Sequence, residues 1–183
     1  TLGEKNIMKR TINTTLVLIL KNGKVLLAQK KRGFAMGTFN GIGGKQDPGE
    51  TIEQAMIRET QEEIGVTPTT FKQVGLIRFD TWYKGERVDL NLNIYTCTHF
   101  AGEIIETEEM TPEWFDMDKI PFDKMLPDDR EWFPIVAAGN CVYGIVFLQE
   151  DLKNSENNFG AVTEKELKNE IEKLYGIKET EKQ

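Results

Sequence analysis

The stretch GGKQDPGETIEQAMIRETQEEIG, Gly43 to Gly65, constrains the fold of this 183-residue chain more tightly than any other. Thr51 followed by Gln54 three residues on is a capping box, in which each side chain meets the other residue's backbone amide and a helix begins. Gly65 supplies a left-handed stop at the far end. About fourteen residues of helix are therefore predicted, an ordinary length for a globular domain. On that helix Ile52, Ala55, Met56, Glu59, Glu62 and Glu63 fall within roughly one third of the circumference, so three carboxylates continue the stripe that apolar residues begin. Their i, i+3, i+4 spacing sets like charges against one another and weakens a bare helix. Two readings stand: a solvated acidic face, or carboxylates compensated by a hard divalent cation that takes oxygen ligands. Alignment with the residues that seek burial, away from Gln54 and Gln61, favours the cation.

The glycines before the helix extend this reading. Gly43 and Gly44 carry no Cβ, so their backbone groups can approach a metal or a phosphate closely. A cation held on one side by carboxylates and a carbonyl keeps positions open for phosphate oxygens and water, as Mg2+ prefers. Glu50 and Arg58 can pair and brace the loop against the helix, a supporting role.

Around this unit the chain reads as alternating strands and helices. INTTLVLILKNGKVLLAQKKR is a hairpin about Asn22-Gly23, and GFAMGTFNGIGGKQDPGE is a special loop with a short strand near Phe39. FKQVGLIRFDTWY and RVDLNLNIYTCTHF are strands joined at Lys84-Gly85, with Val88, Leu90, Leu92 and Ile94 on a core face and polar residues opposite. A short strand is expected at Glu113 to Phe115. LPDDREWFPIVAAG is a helix from Pro127 to a stop at Gly139, open to a kink or division at Pro134. CVYGIVFLQ is read as the final buried strand and KNSENNFGA as a polar connector. TEKELKNEIEKLYG is an amphipathic helix, capped by Thr163 and Glu166, whose stripe is Leu167, Ile171, Leu174 and Tyr175. IKETEKQ is expected to fray. The chain divides into an N-terminal segment 1–13, a main domain 14–150, and a connector with helical extension 151–183. Residues before Met8 are open to being foreign to the native chain.

Thirty acidic against 23 basic residues, a net charge of -7, give no basic field for a nucleic-acid polymer or an anionic membrane. A small anionic substrate is compatible with that balance if a cation neutralises it locally. Cys97 and Cys141 read as buried reduced thiols. No signal-like apolar core opens the chain and no apolar run approaches the ~18 residues of a membrane span, so a cytoplasmic location is expected. No obligatory protein partner is evident.

The spacing G-x5-E-x7-R-E-U-x-E-E-x-G-U, with U apolar, resembles the signature of the Nudix hydrolases. This chain meets it with Gly44, Glu50, Arg58, Glu59, Glu62, Glu63, Gly65 and Val66, and departs from it only at Thr60. The resemblance implies an α/β/α sandwich with a mixed central sheet, here followed by the C-terminal amphipathic helix. It also implies Mg2+-dependent attack of water on a diphosphate, with Mn2+ able to substitute. By that match Glu59, Glu62 and Glu63 are metal ligands, joined by the Gly43 carbonyl and, further off, Glu109, and one helix glutamate doubles as base. The flanks KKRGFAMGTFNGIGGK and EEMTPEWFDMDKIPFDKMLPDDREWFP resemble the branch of the family that cleaves oxidised purine nucleoside triphosphates of the 8-oxo-dGTP and 2-hydroxy-dATP type to monophosphate and pyrophosphate. That resemblance places Thr15, Lys30, Phe34, Asn40, Phe79, Met110, Leu126, Pro127, Asp128, Asp129 and Trp132 at the base, and Ile42, Gly43, Gly44 and Lys45 along the substrate. Other nucleoside diphosphate derivatives, such as ADP-ribose or dinucleoside polyphosphates, are the alternative substrates, and a non-catalytic nucleotide sensor is a third reading.

The residues themselves carry second readings. Asp128 and Asp129 either start a helix or share a proton in a poorly hydrated pocket, offering donor and acceptors to a purine edge. Asn40 is either a turn former or a base reader. Trp132 and Phe79 offer stacking faces or fill core. Lys30 is a solvated charge by its own chemistry and a substrate contact by analogy. His99 has no partner set. Leu126 stands where the similar sequences carry a stacking tryptophan, and Phe39 also replaces a tryptophan.

Overall fold

The structure, a computed structural model, describes residues 9–33, 35–149 and 155–176. Strands β1 (Arg10–Lys21) and β2 (Lys24–Lys30) meet at the predicted turn, where Asn22 and Gly23 both hold positive φ, 51° and 74°. Their antiparallel pairing covers only Ile19↔Leu26 to Lys21↔Lys24. Farther from the turn the strands part, and the glycine-rich segment fills the gap. Strand β3 (Phe39–Asn40) pairs with β2, while bridges Val17↔Ile42 and Thr14↔Lys45 tie the following residues to β1.

Helix α1 (Ile52–Ile64) has the capping box at Thr51 and Gln54, and Gly65 takes φ 80° at its end. A long hairpin follows, β4 (Thr67–Tyr83) and β5 (Glu86–Ala101), turning at Lys84 and Gly85. β5 runs parallel to β1 from Arg10↔Val88 to Ile19↔Cys97. β6 (Met110–Asp116), longer than the three residues expected, lies along the other edge of β2. A 3-10 turn (Phe122–Lys124) leads to α2 (Asp129–Ala137), which continues through Pro134. β7 (Cys141–Leu148) is parallel to β4. The sheet is thus mixed and eight-stranded, in the order β3-β2-β1-β5-β4-β7-β8 with β6 beside β2.

β8 (Ser155–Val162) corrects two expectations. The described part of the stretch read as a polar connector is a strand antiparallel to β7, so β7 is not the last. Its polarity suits an edge strand, which must resist pairing with another chain. Its anchor is Phe159, whose ring crosses Gly144 so closely that a Cβ there would lie 2.4 Å from it. α3 (Glu164–Tyr175) carries the predicted capping box at Thr163 and Glu166. Residues 1–8 and 177–183 lie outside the described residues, and β1 begins at Arg10, within the segment set apart as N-terminal.

Both faces of the sheet are covered, which is why β1 reads as an unbroken apolar run. Leu16, Leu18, Leu27, Ile77, Val142 and Trp132 form the core beneath α2. Val17, Ile19, Leu26, Met56 and Ile64 form that beneath α1. Leu76, Cys141 and Leu167 join with Ile171 and Leu174 under α3, on the same side as α1. The polar half of β5 therefore meets helices and not solvent: Asn91 is 2% and Asn93 0% exposed. Cys97 and Cys141 are buried free thiols. Among the described residues no helix is long and apolar enough to cross a membrane.

Candidate active site

The loop at Gly43-Gly44 is laid along β1 by backbone bonds. Val17 and Ile42 exchange two at 2.6 and 3.0 Å, the Thr15 amide donates to the Gly44 carbonyl at 2.8 Å, and the Gln46 amide to that of Asn13 at 2.9 Å. Only glycine fits there: a Cβ on Gly43, at φ +155°, would sit 2.1 Å from the Thr15 carbonyl oxygen. A Cβ on Gly44 would sit 2.4 Å from the Glu59 carboxylate, so the loop and the glutamate face of α1 are in direct contact.

Glu63, 5% exposed, accepts from the Gly43 amide at 3.0 Å. Burial pushes its carboxyl up to about 8 against that bond, and the neighbouring charge of Glu59 adds to the shift. Glu59 is also raised by burial, with Arg58 opposing. Arg58 holds the unit together: it grips both oxygens of Glu50 at 2.7 and 2.9 Å. It also reaches Glu59 at 2.9 Å and Glu62 at 3.1 Å and donates to the Lys45 carbonyl at 3.0 Å. The same pairing lowers Glu50.

One expectation needs correction. Glu62 does not continue the buried stripe, since its side chain is 60% exposed. The buried line runs through Ala55, Met56, Thr60, Glu63 and Ile64, and Glu62 lies past its edge. Thr60, the departure from the family spacing, fits this line because its hydroxyl donates to the Met56 carbonyl one turn back at 2.6 Å. Such back-bonding costs a helix slightly. Thr60→Val is therefore expected to hold or raise stability by up to about 1 kcal/mol, as read by thermal melting.

Among the described residues no three carboxylate, histidine or cysteine side chains converge as a ready ligand set. Arg58 draws Glu59 and Glu62 toward itself, and Glu63 turns to the Gly43 amide. The donors nonetheless suit a hard divalent cation. Glu59 and Glu63 are carboxyls raised by burial, and while the Gly44 carbonyl is taken by Thr15, no hydrogen bond among the described residues takes up that of Gly43. Glu109 is near enough for its charge to raise Glu63 and is ion-paired at the surface with Arg32.

The residues assigned to the base divide into groups. Asp129, 3% exposed, accepts from the Leu126 amide and from Trp132 Nε1, each at 3.0 Å. Its carboxyl is pushed up to about 8 by burial and then by Asp128. Asp128 occupies the N-cap of α2 but makes no capping bond, and burial raises it too. Trp132 is core, 1% exposed, and Phe79 packs half-buried against the same cluster. Leu126 is half-buried and Pro127 exposed beside them.

Met110 lies elsewhere, in the apolar layer beneath α1, together with Ile42, which the resemblance places along the substrate. Thr15 is buried with its hydroxyl 3.5 Å from the Gly44 carbonyl. Asn40 uses its side-chain oxygen on the Gly41 amide at 2.9 Å, as a turn former does. Lys30, half-buried, has the charge that counters the rise of Glu63. Phe34 lies outside the described residues. Lys45 rests over the Tyr83 ring, 4.1 Å from its centroid, a contact no local pattern announces because β4 alone brings Tyr83 there. A cavity of about 310 Å³, lined by Arg10 to Asn13 and Lys45 to Gly49, opens beside the loop and includes neither Asp128 and Asp129 nor the glutamates of α1.

Among curated proteins, an oxidized purine nucleoside triphosphate hydrolase of Danio rerio is 48% identical over 122 residues, 67% of this chain and 77% of that protein. The Mus musculus protein of the same name is 45% identical over the same shares. The crystal structure of a MutT protein from Bacillus halodurans has a TM-score of 0.67 at 24% identity, covering 80% of this chain and 97% of its own, a likeness of fold. The NUDIX domain matches residues 9–135, from the first described residue, just ahead of β1, to within α2, and by that match the chain belongs to the Nudix family.

Proposed function

We propose that this protein hydrolyses oxidised purine nucleoside triphosphates, of the 8-oxo-dGTP and 2-hydroxy-dATP type, to monophosphate and pyrophosphate, clearing them from the nucleotide pool. The observation that carries the reading is the Asp128-Asp129 pair, in which Asp129 is buried and held at about 8 and the half-buried Asp128 is also raised by desolvation. At neutral pH one carboxyl keeps a proton beside one that can ionise, so the pair presents a donor and acceptors together. Oxidation of a purine changes the donor and acceptor pattern of its edge, which such a pair can distinguish. The bonds from the Leu126 amide and Trp132 Nε1 hold Asp129 in one orientation, leaving Asp128 as the more adaptable reader. The identity to the zebrafish and mouse hydrolases supports the same substrate class.

Nudix hydrolases act on small-molecule nucleotides and generally use a divalent metal, usually Mg2+. In the proposed site Glu59, Glu62, Glu63 and the Gly43 carbonyl would hold Mg2+, or Mn2+ in its place, with Glu109 nearby. When bound, the metal screens the polyphosphate and supports activation of water. Glu50 and Arg58 keep the loop and helix in register, Lys30 and Lys45 offset phosphate charge, Thr15 supports the Gly44 end of the loop from below, and Asn40 stands toward the mouth of the site. Leu126 offers no π-face, so the aspartates carry more of the selectivity here than a stacked ring would allow.

A Mg2+-supported pyrophosphate-release assay across 8-oxo-dGTP, 2-hydroxy-dATP, dGTP, dATP, ADP-ribose and a dinucleoside polyphosphate tests the reading. The highest kcat/KM is expected for an oxidised purine; a higher value for ADP-ribose would overturn the proposal. Asp128→Asn and Asp129→Asn should each reduce the preference for 8-oxo-dGTP over dGTP by about tenfold or more. Because Asp129 holds its proton up to about pH 8, kcat/KM for oxidised purines should fall as pH rises past that value. Asp129→Asn should flatten that limb. An unchanged ranking in both variants would reduce the pair to a structural role.

A further inference from the structure

Between α1 and α3 the covered face of the sheet is polar, and its side chains are linked partly to one another and partly through backbone carbonyls. Asn93 donates to the Tyr175 hydroxyl, in the last turn of α3, at 2.8 Å. It also donates to the Thr14 carbonyl at 3.2 Å and accepts from Gln73 Nε2 at 2.9 Å. Next along β1, Asn13 accepts from Asn91 Nδ2 at 2.9 Å and donates to Gln46 Oε1 at 2.9 Å. Gln46 Nε2 continues to the Glu50 carbonyl at 2.6 Å. The Glu50 carboxylate grips Arg58, which reaches Glu59 and Glu62. Asn93 meets Asn13 through backbone, by way of the carbonyls of Thr14 at 3.2 Å and of Asn91 at 3.5 Å, and Gln46 meets the Glu50 carboxylate through Glu50's own backbone. With those two backbone steps one path connects the far helix to the glutamates of α1.

Asn91 and Asn93 are buried while Asn13, Gln46 and Tyr175 are half-buried. A buried amide is costly unless it finds a partner, so removing a neighbour of Asn91 or Asn93 strands it. In a low-dielectric interior a fully satisfied series also orders its members mutually. Apolar side chains would fill the space under α3 without these demands, as Leu167 does two turns earlier. We propose that α3 is a positioning element for the hydrolytic site. Through Tyr175, Asn93, Asn13 and Gln46 it sets the loop from Gly43 to Glu50, and with it the Glu50-Arg58 brace that aims Glu59 and Glu62. None of these four is a catalytic residue; each acts through the next. α3 lies beyond residues 9–135, so the device is added to the part of the chain that the family matches. The inference rests on the hydrolase reading for where its kinetic effect is seen, while the coupling itself is independent of substrate.

Tyr175→Phe and Asn13→Ala, singly and together, test it in the full chain. Lys72→Ala is the control, because it breaks the exposed Lys72-Glu164 pair at the start of α3, 2.8 Å, outside the path. In metal-free protein, amide hydrogen exchange of residues 43–50 should accelerate about threefold to tenfold in Tyr175→Phe and stay at the parent rate in Lys72→Ala. On the best nucleotide substrate, kcat should fall by a similar factor, about threefold to tenfold, with KM within about twofold. The double variant should be no slower than Asn13→Ala alone, as expected of two breaks in one path. Parental loop exchange in Tyr175→Phe, equal acceleration in Lys72→Ala, or additive losses would each overturn the proposal. A protein inactive on every nucleotide would refute the hydrolase reading and leave the exchange measurement to judge the coupling.

Discussion

Glu63→Gln is expected to cut kcat by about three orders of magnitude or more while leaving the fold intact. The substitution keeps side-chain volume and an oxygen, so the bond from the Gly43 amide survives. What it removes is the negative charge on the most buried carboxylate of α1. A second readout separates this role from a packing role. In metal-free protein the Glu63 carboxyl stands at about 8 when folded, against an ordinary value of 4.5. The native state therefore binds its proton more tightly, and this contribution to stability is complete below about pH 4.5 and lost as pH rises through about 8. Glutamine cannot ionise and does not suffer that loss. In chelator, Glu63→Gln should thus melt about 5–10 °C above the parent at pH 9, from roughly 2–4 kcal/mol, and converge with it near pH 5. Near-normal turnover would refute the metal assignment, and parallel melting curves at all pH values would refute the burial account.

Gly43→Ala should be the most destabilising single change in the loop, costing more than about 4 kcal/mol or preventing folding altogether. Its added Cβ would meet the Thr15 carbonyl oxygen at 2.1 Å and the Leu16 Cα at 3.0 Å, both backbone atoms with no rotamer to yield. The loop cannot back away, because the bonds from Thr15 to Gly44 and between Val17 and Ile42 pin it on either side. Gly49→Ala is the matched comparison. Gly49 also has a positive φ, +86°, but a Cβ added there would meet nothing within 4 Å, so only the backbone preference is lost, about 1–2 kcal/mol. Urea unfolding of both variants measures the difference; equal losses would show that φ and not contact governs the loop.

What is legible in the sequence is legible for local reasons. Thr51, Gln54 and Gly65 specify α1 through bonds within one turn of the chain, and Asn22-Gly23 specifies its turn through the φ values those residues tolerate. Spacing alone brings Glu50, Arg58 and the three glutamates forward, because helix geometry converts spacing directly into proximity. Features set by distant strands are not legible. Ser155 to Val162 is polar because it lies at an edge, and nothing local says that β7 waits beside it. Asn91 and Asn93 carry the alternation of a half-exposed strand, yet α1 and α3 cover them. A family resemblance assigns base residues one by one and not as a surface, so Met110, beneath α1, could not be told from Phe79 and Trp132 on the other side of the sheet.

The parallel pairing of β1 with β5 has a further consequence for how the site comes into being. Asn13 and Asn91 are 78 positions apart, and the glycine loop is pinned to the same β1 residues that β5 flanks. The β1-β2 turn can close early by itself, but contacts this distant form slowly because a long loop must first be closed. During synthesis, then, the loop and α1 emerge well before the strand that holds their platform in place. Hydrolysis is therefore expected to begin only after β5 has paired with β1, well after the glutamates themselves have been made.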